Sequence, residues 1–332
     1  MNILGLIGKT PIVKLEKVIG AADVDIYVKC EYLNPGGSTK DRMALRMIEE
    51  AERAGKLKPG GTIIDQSTGN TGPALAFVGA VKGYRVQLFL PAQLSSSYNP
   101  EDRIRIAKLF GCSVETVDLK AYMENIENLS DVEKAAAFVA IRMKKCYELE
   151  KSDPTVWWAN QLTNIDNAKA HRDTTGKEIL EQLDGKVDAF VSSVGTGGTL
   201  LGIAEAIRED NPEAKIVGVL PSDDPRIEWI KSGAIHRILE MYGMPKLKFL
   251  IEIILEKGLL ENVITVSNED AKNMADRLCK EEGFFCGMSS GANVCAAMQM
   301  AKNMSKGSKI VTVLVDRRDR YFAEYPNEHY VV

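Results

Sequence analysis

The residues best placed for chemistry are nine in a row: Asn34, Pro35, Gly36, Gly37, Ser38, Thr39, Lys40, Asp41 and Arg42. A short strand-like run, 26–31, precedes them, and 43–54 follows with apolar residues at helical spacing. Lys40 therefore falls where a strand hands over to a helix. Pro35 and the two glycines set the turn, and Ser38 or Thr39 is available as a helix cap. The positive end of a helix dipole disfavours an ammonium there. A lowered pKa leaves a free amine, which imine chemistry with an aldehyde needs. On an exposed helix start Lys40 is instead a surface lysine beside Asp41, and the rest of the chain has to separate the two readings.

Three further stretches rich in Gly, Ser and Thr follow strand-like runs and open helical ones: 67–72, 195–199 and 287–292. In open α/β sheets ligands bind where strands end. Free backbone N–H groups at a helix start suit anions; glycines allow close approach and hydroxyls add donors. The 195–199 loop is built like a phosphate cradle. It lacks the GxGxxG spacing of a dinucleotide fingerprint, and no GK[ST] follows as in a P-loop.

The elements that must position these turns alternate. Strand signals lie at 26–30, 62–65, 85–90, 113–117, 189–193, 216–220, 263–266 and 309–314. Helical signals lie at 43–54, 73–82, 101–110, 131–149, 173–183, 200–208 and 268–282. Such alternation predicts an α/β fold with parallel sheets. Residues 6–15 read as extended. The segment 221–261, with Pro225, Gly233, Gly243 and Pro245 between amphipathic pieces, is expected to be mobile or specificity-determining. At 332 residues the chain can bury a large core and suggests two lobes. A net charge of −4 from interspersed residues points to neither nucleic acid nor an anionic membrane. No apolar run is long enough to cross a bilayer, and residues 1–10 lack a signal peptide's basic and apolar regions. The six cysteines form no CxxC pair, so no zinc site or disulfide framework is expected, and reduced thiols in the cytoplasm are the simple reading. His171, His236 and His329 are too dispersed for a metal cluster and are expected to be solvated or structural; no metal is expected.

Together these stretches resemble the cysteine synthase family of pyridoxal-phosphate enzymes, the β-family of fold type II. Residues 34–42 resemble NPGGS-x-KDR, 6–11 resemble LIGNTP, 67–72 resemble TSGNTG, and Asn160-Gln161 resembles an NQ pair. The 195–199 loop reads GTGGT as in the family, 287–292 resemble GISSGA, and Asp319-Arg320-Tyr321 resembles ERY. The resemblance spans nearly the whole chain. It implies two open, twisted, mostly parallel sheets with helices on both faces. Residues 36–150 would form a smaller, mobile, substrate-carboxylate domain, and 1–35 with 151–332 a larger cofactor domain.

The resemblance also implies roles. Lys40 would carry the cofactor as an imine and then move protons at the substrate's α-carbon. Asn70 would bond the cofactor's phenolic oxygen. Gly195, Thr196, Gly197, Gly198 and Thr199 would hold its phosphate, and Gly287 would lie near its ring. Ser67, Thr68, Gly69, Thr71 and Gln161 would hold the substrate carboxylate. The pyridinium system is an electron sink for a carbanion; loss of a β-substituent gives an aminoacrylate to which a nucleophile adds.

Three departures stand out. Val315-Asp316-Arg317-Arg318 replaces the family's Pro-Asp-Ser-Gly, so Arg317 stands where a serine faces the pyridine nitrogen. Either its guanidinium faces the ring and keeps that nitrogen unprotonated, or it swings to solvent or an acidic partner. Gln66-Ser67-Thr68 replaces Pro-Thr-Ser. The family's GIGAGF-type segment is not visible, and 240–250 occupies its region, with Asp223, Asp224 and Arg226 as neighbouring candidates for an altered polar pocket. An insert around 121–149 is expected to be structural or at an oligomer surface.

The expected activity is cysteine synthase-like: an activated L-serine loses its β-substituent and sulfide or another nucleophile adds. The alternatives are a β-lyase releasing hydrogen sulfide or water from L-cysteine or L-serine, a diamino-acid synthase using an amine, and a catalytically weakened protein binding a partner through 325–332. The resemblance implies a homodimer. A cystathionine β-synthase of the larger, regulated type is not expected, because neither its haem-binding nor its regulatory extension is seen.

Overall fold

The computed structural model describes residues 2–20, 23–91, 99–118, 128–222 and 224–324. Asp223, residues 121–127 of the expected insert and the tail 325–332 lie outside the described residues. The strands in chain order are β1 (Ile12–Lys14), β2 (Asp25–Lys29), β3 (Thr62–Gln66), β4 (Arg85–Pro91) and β5 (Ser113–Val117). They continue as β6 (Val156–Trp158), β7 (Ala189–Ser193), β8 (Lys215–Pro221), β9 (Asn262–Val266) and β10 (Lys309–Val313). The chain divides into two compact units: Met1–Arg46 with Ile165–Asp223 and Leu250–Arg320, and Met47–Asn164 with Asp224–Phe249 and Tyr321–Val332.

The first unit is built on a six-stranded sheet of order β1-β2-β10-β7-β8-β9. All its neighbours run parallel except the edge strand β1. Its central strands are β-branched, apolar and buried, as a sheet covered on both faces requires. Leu15, Ile26, Val28, Val191, Val217, Val294 and Ile310 share one core. The second unit is built on a four-stranded, wholly parallel sheet of order β5-β4-β3-β6. Two mostly parallel sheets flanked by helices are the expected fold class.

The expected division at 36–150 differs from these units. The helix Lys40–Arg53 contributes residues to both, and 224–249 belongs with the second unit. In the stretch 221–261, expected to be mobile or specificity-determining, the structure has three helices, Arg226–Lys231, Ala234–Met241 and Leu250–Glu256. The first two pack on the long helix Asp131–Ser152. Ala234–Met241 is held by its apolar stripe, with Ile235, Ile238 and Leu239 buried. Asp131–Ser152 starts with a full capping box between Ser130 and Glu133. Asp224 and Arg226 pair with each other at 2.8 Å at a helix start.

A second difference lies at 173–183, expected as one helix. A π-helical turn, His171–Gly176, separates the helix Ile165–Ala170 from the helix Lys177–Gln182. The Thr174 hydroxyl donates to the Ala170 carbonyl four residues back at 2.6 Å, a side-chain competitor of the kind that disturbs regular helix. Among the described residues, no helix is long and apolar enough to cross a membrane.

Candidate active site

In the first unit β2, β10 and β7 are parallel neighbours, so the segments that follow them leave from the same edge of the sheet. Those segments are the Lys40 turn, Val315-Asp316-Arg317 and the 195–199 loop. Thr39 N–H donates to Val315 C=O at 2.9 Å, and Arg317 N–H donates to Gly37 C=O at 3.1 Å. The Lys40 turn is thereby stitched to the end of β10. Ser38 Oγ accepts from Lys40 N–H at 3.3 Å, and Asp41 Oδ2 accepts from Gly36 N–H at 2.6 Å.

The Lys40 amine is lowered to about 8. Burial is the cause, and it outweighs the nearby Asp316 and Glu31 carboxylates, which act the other way. The direction is the expected one, and desolvation is its largest cause. Two residues on, Arg42 grips both oxygens of Glu31 at 2.7 Å and both of Glu178, at 2.6 and 2.8 Å. Lys29 pairs with Glu178 at 2.7 Å and donates to Thr10 C=O at 2.6 Å. This buried network ties β2, the N-terminal segment and the helix carrying Glu178 to the first turn after Lys40.

The 195–199 loop leads from β7 into the helix Gly198–Asp210. That helix has no side-chain cap, and its cap residue Gly197 is left-handed at φ +92. Thr196 Oγ accepts from Asn167 Nδ2 at 3.0 Å, and the Thr199 hydroxyl meets His171 Nε2 at 3.2 Å. The other ring nitrogen of His171 meets the Thr175 hydroxyl at 3.0 Å. Burial, then the charges of Lys40 and Arg42, push His171 well below its ordinary value, so the ring is neutral. Gly198 is packed so tightly that an added Cβ would lie 2.0 Å from Asn167 Oδ1. Gly197→Ala puts a side chain where left-handed backbone is strained, and its Cβ would come within 3.1 Å of Ile254 Cδ1. A cost of about 1–2 kcal/mol is expected. Phosphate-bearing ligand should then escape faster, as measured by cofactor fluorescence after dialysis; retention equal to the parent would contradict the cradle.

The helix Met288–Ala301 is pinned to the same edge. Gly287 N–H donates to Asp316 C=O at 3.0 Å, Ser290 Oγ accepts from Val315 N–H at 2.8 Å, and Asn293 bridges Val313 C=O and Ser193 N–H. Arg317 uses its backbone here. Its guanidinium pairs with Asp319 at 2.7 Å, and its side chain is 54% exposed.

In the second unit β3 and β6 are neighbours. The loop after β3 holds Ser67, Thr68, Gly69, Asn70 and Thr71, and the chain after β6 holds Asn160 and Gln161. Ser67 Oγ accepts from Gly72 N–H at 3.1 Å, steadying the start of the helix Thr71–Lys82. Asn70 caps that helix by position only, with no side-chain cap bond. Asn160 is left-handed at φ +48, an uncommon state for a non-glycine residue. It delivers Gln161, whose Nε2 donates to Gln66 C=O at 3.1 Å and whose Oε1 accepts from the Thr71 hydroxyl.

The first unit thus brings together Lys40, Gly195, Thr196, Gly197, Gly198, Thr199, Gly287 and the backbone of Arg317. The second brings together Ser67, Thr68, Gly69, Asn70, Thr71 and Gln161. Sequence reasoning named neither Asn167 nor Asp65, and took His171 as solvated or structural without giving it a partner. The spacing of His171 and Thr175, four apart, was the available signal for one of them.

Residues 3–316 match the family described as pyridoxal-phosphate dependent enzyme. The chain is 39% identical over 323 residues to a cysteine synthase of Staphylococcus aureus, covering 97% of this chain and 95% of that protein. Among solved structures it is similar to a hydrogen sulfide-producing enzyme from Fusobacterium nucleatum. That match has a TM-score of 0.78 and 33% identity, and covers 96% of this chain and 99% of the other. It is also similar to O-ureido-L-serine synthase, with a TM-score of 0.77 and 28% identity, covering 99% of this chain and 96% of the other.

Proposed function

The chain belongs to the family of pyridoxal-phosphate dependent enzymes, and from that premise we propose that it exchanges the β-substituent of an activated L-serine for sulfide or a related nucleophile. The similarity to a cysteine synthase along nearly the full length of both chains supports this reading. The residues fit the cofactor. Lys40 is an amine lowered to about 8, and the uncapped helix start at Gly197 and Gly198, with two buried threonine hydroxyls, suits a phosphate. Bound pyridoxal phosphate supplies the electron sink that stabilises negative charge at the α-carbon.

In this reading Lys40 would hold the cofactor and, as a free amine, would take and return the proton at the substrate's α-carbon. The N–H groups and hydroxyls of 195–199 would hold the phosphate, and Asn167 and His171 fix how the Thr196 and Thr199 hydroxyls point. Gly287 would leave room for the cofactor, and Asn70 would hydrogen-bond it. Ser67, Thr68, Gly69, Thr71 and Gln161 bind and orient the amino acid by its carboxylate. Arg317 contributes its backbone, and its guanidinium stays with Asp319. A cytoplasmic homodimer belongs to the same reading, supported by the family resemblance and, for the compartment, by six free thiols.

The observation that carries the proposal is the lowered, buried Lys40 amine in the same unit as the glycine and hydroxyl cradle. The test adds O-acetyl-L-serine, O-phospho-L-serine, L-cysteine and L-serine singly to cofactor-loaded protein, with and without sulfide, and identifies products by mass spectrometry. Cysteine formed only when a serine derivative and sulfide are both present is the expected result. Sulfide released from L-cysteine alone would favour β-elimination, the reading to which the similarity with a hydrogen sulfide-producing enzyme points. No change with any of the four amino acids would overturn both.

A further inference from the structure

The mechanism above leaves a buried acid unused. Asp65 is the last residue but one of β3, two before the 67–72 loop, and is wholly buried. The Trp158 indole N–H donates to its Oδ1 at 3.2 Å, and the backbone N–H groups of Gln66 and Gln161 face the same carboxyl. Trp158 also donates to Gln66 Oε1 at 3.0 Å.

The route of the chain explains the arrangement. Pairing between β3 and β6 ends at Ile64 and Trp158, and Ala159 N–H then donates to Ile64 C=O at 3.0 Å. Asn160 turns left-handed, so Gln161 comes back over the end of β3. Its backbone N–H meets Asp65, while its side chain spans Gln66 C=O and the Thr71 hydroxyl. Three donors from two strand ends and the returning chain converge on one carboxyl.

We propose that Asp65 is a positioning residue that locks Gln161 and the start of the 67–72 loop into the geometry that receives an amino-acid carboxylate. The inference rests on the reading of that loop and Gln161 as the carboxylate site. A carboxylate suits the task because its Oδ1 accepts from the indole and it carries no N–H of its own, whereas an amide would add an NH2 group beside the backbone N–H groups of Gln66 and Gln161. Burial raises the acid to about 7 against the pull of these donors, so the carboxylate form prevails at about pH 8.

The test compares Asp65→Asn, Gln161→Leu and Thr71→Val with the parent, each loaded with pyridoxal phosphate at about pH 8. O-acetyl-L-serine is titrated in and its dissociation constant read from the cofactor's absorbance. Asp65→Asn is expected to weaken binding about tenfold or more, the scale of a buried donor left against the wrong partner. Cofactor loading should stay at the parent's level. In the cofactor-free protein, exchange of the Gln161 backbone amide hydrogen is expected to quicken. Binding within about twofold of the parent in Asp65→Asn, while Gln161→Leu is weakened, overturns the inference and leaves the carboxylate reading standing. Unchanged binding in both Gln161→Leu and Thr71→Val overturns the carboxylate reading itself. Should Asp65→Asn not fold, Trp158→Phe removes one donor and keeps the acid: a rise of about threefold or more supports the brace, and an unchanged constant overturns it.

Discussion

Lys40→Ala is expected to lower turnover by on the order of 10⁴-fold or more, because one amine both anchors the cofactor and moves the α-proton. The decisive readout is covalent. After borohydride treatment the parent chain should gain the mass of the reduced cofactor at Lys40, and the variant should gain none. A chain that stays labelled in Lys40→Ala would place the anchor on another lysine and sink the assignment. The lowered pKa adds a second expectation. A protonated amine cannot attack an aldehyde, and burial holds Lys40 at about 8 rather than at the ordinary lysine value of 10.5. The rate at which cofactor-free protein captures pyridoxal phosphate should therefore climb roughly tenfold per pH unit below that value and level off above about 8. A capture rate still climbing towards pH 10 would mean that Lys40 is solvated like an ordinary lysine. The fold itself should tolerate the change, since a buried amine contributes little stability by being there.

Arg42→Met is the substitution expected to cost the most stability. Arg42 is almost wholly buried and neutralises Glu31, which has no exposed side-chain surface, as well as Glu178. Removing the guanidinium leaves Glu31 buried and uncompensated, a loss of about 3–5 kcal/mol for a broken buried pair. Arg42→Lys should fall between the two, because an ammonium cannot grip both oxygens of two carboxylates at once. Urea unfolding of the three proteins side by side is the measurement, and an Arg42→Met midpoint matching the parent's would show that the network adds nothing. The pH dependence carries a sign. Burial alone would raise Glu178, but Arg42 and then Lys29 bring it to about 2 from 4.5. The stability held in that carboxylate is complete above about 4.5 and is lost as pH falls through about 2. The deficit of Arg42→Met should therefore narrow as pH drops across that window.

Much of the site could be read along the chain because its parts are local. The turn at 34–42, the loops 67–72 and 195–199 and the start at Gly287 are each a few residues long. Glycine, hydroxyl and proline types select their backbone states without help from distant residues. The alternation of strand and helix is local as well, and with it the α/β class. The direction of the shift at Lys40 followed from its place at a helix start. Neighbourhood is a different matter. β10, near the end of the chain, inserts between β2 and β7, and that insertion brings the Lys40 turn beside Val315 and Arg317. Parallel pairing between segments hundreds of residues apart depends on which apolar faces bury each other, and periodicity carries no address for that. For the same reason neither the desolvation that lowers Lys40 nor the packing of His171 against Thr199 is written in the local pattern. The Arg317 guanidinium pairs with Asp319, and 224–249 joined the second unit through the apolar stripe it lays on Asp131–Ser152. Residue types and spacings along the chain specify which groups are available and what local shape each takes. Distances, burial and partners arise only when remote surfaces close on one another, and those set the electrostatics on which the chemistry runs.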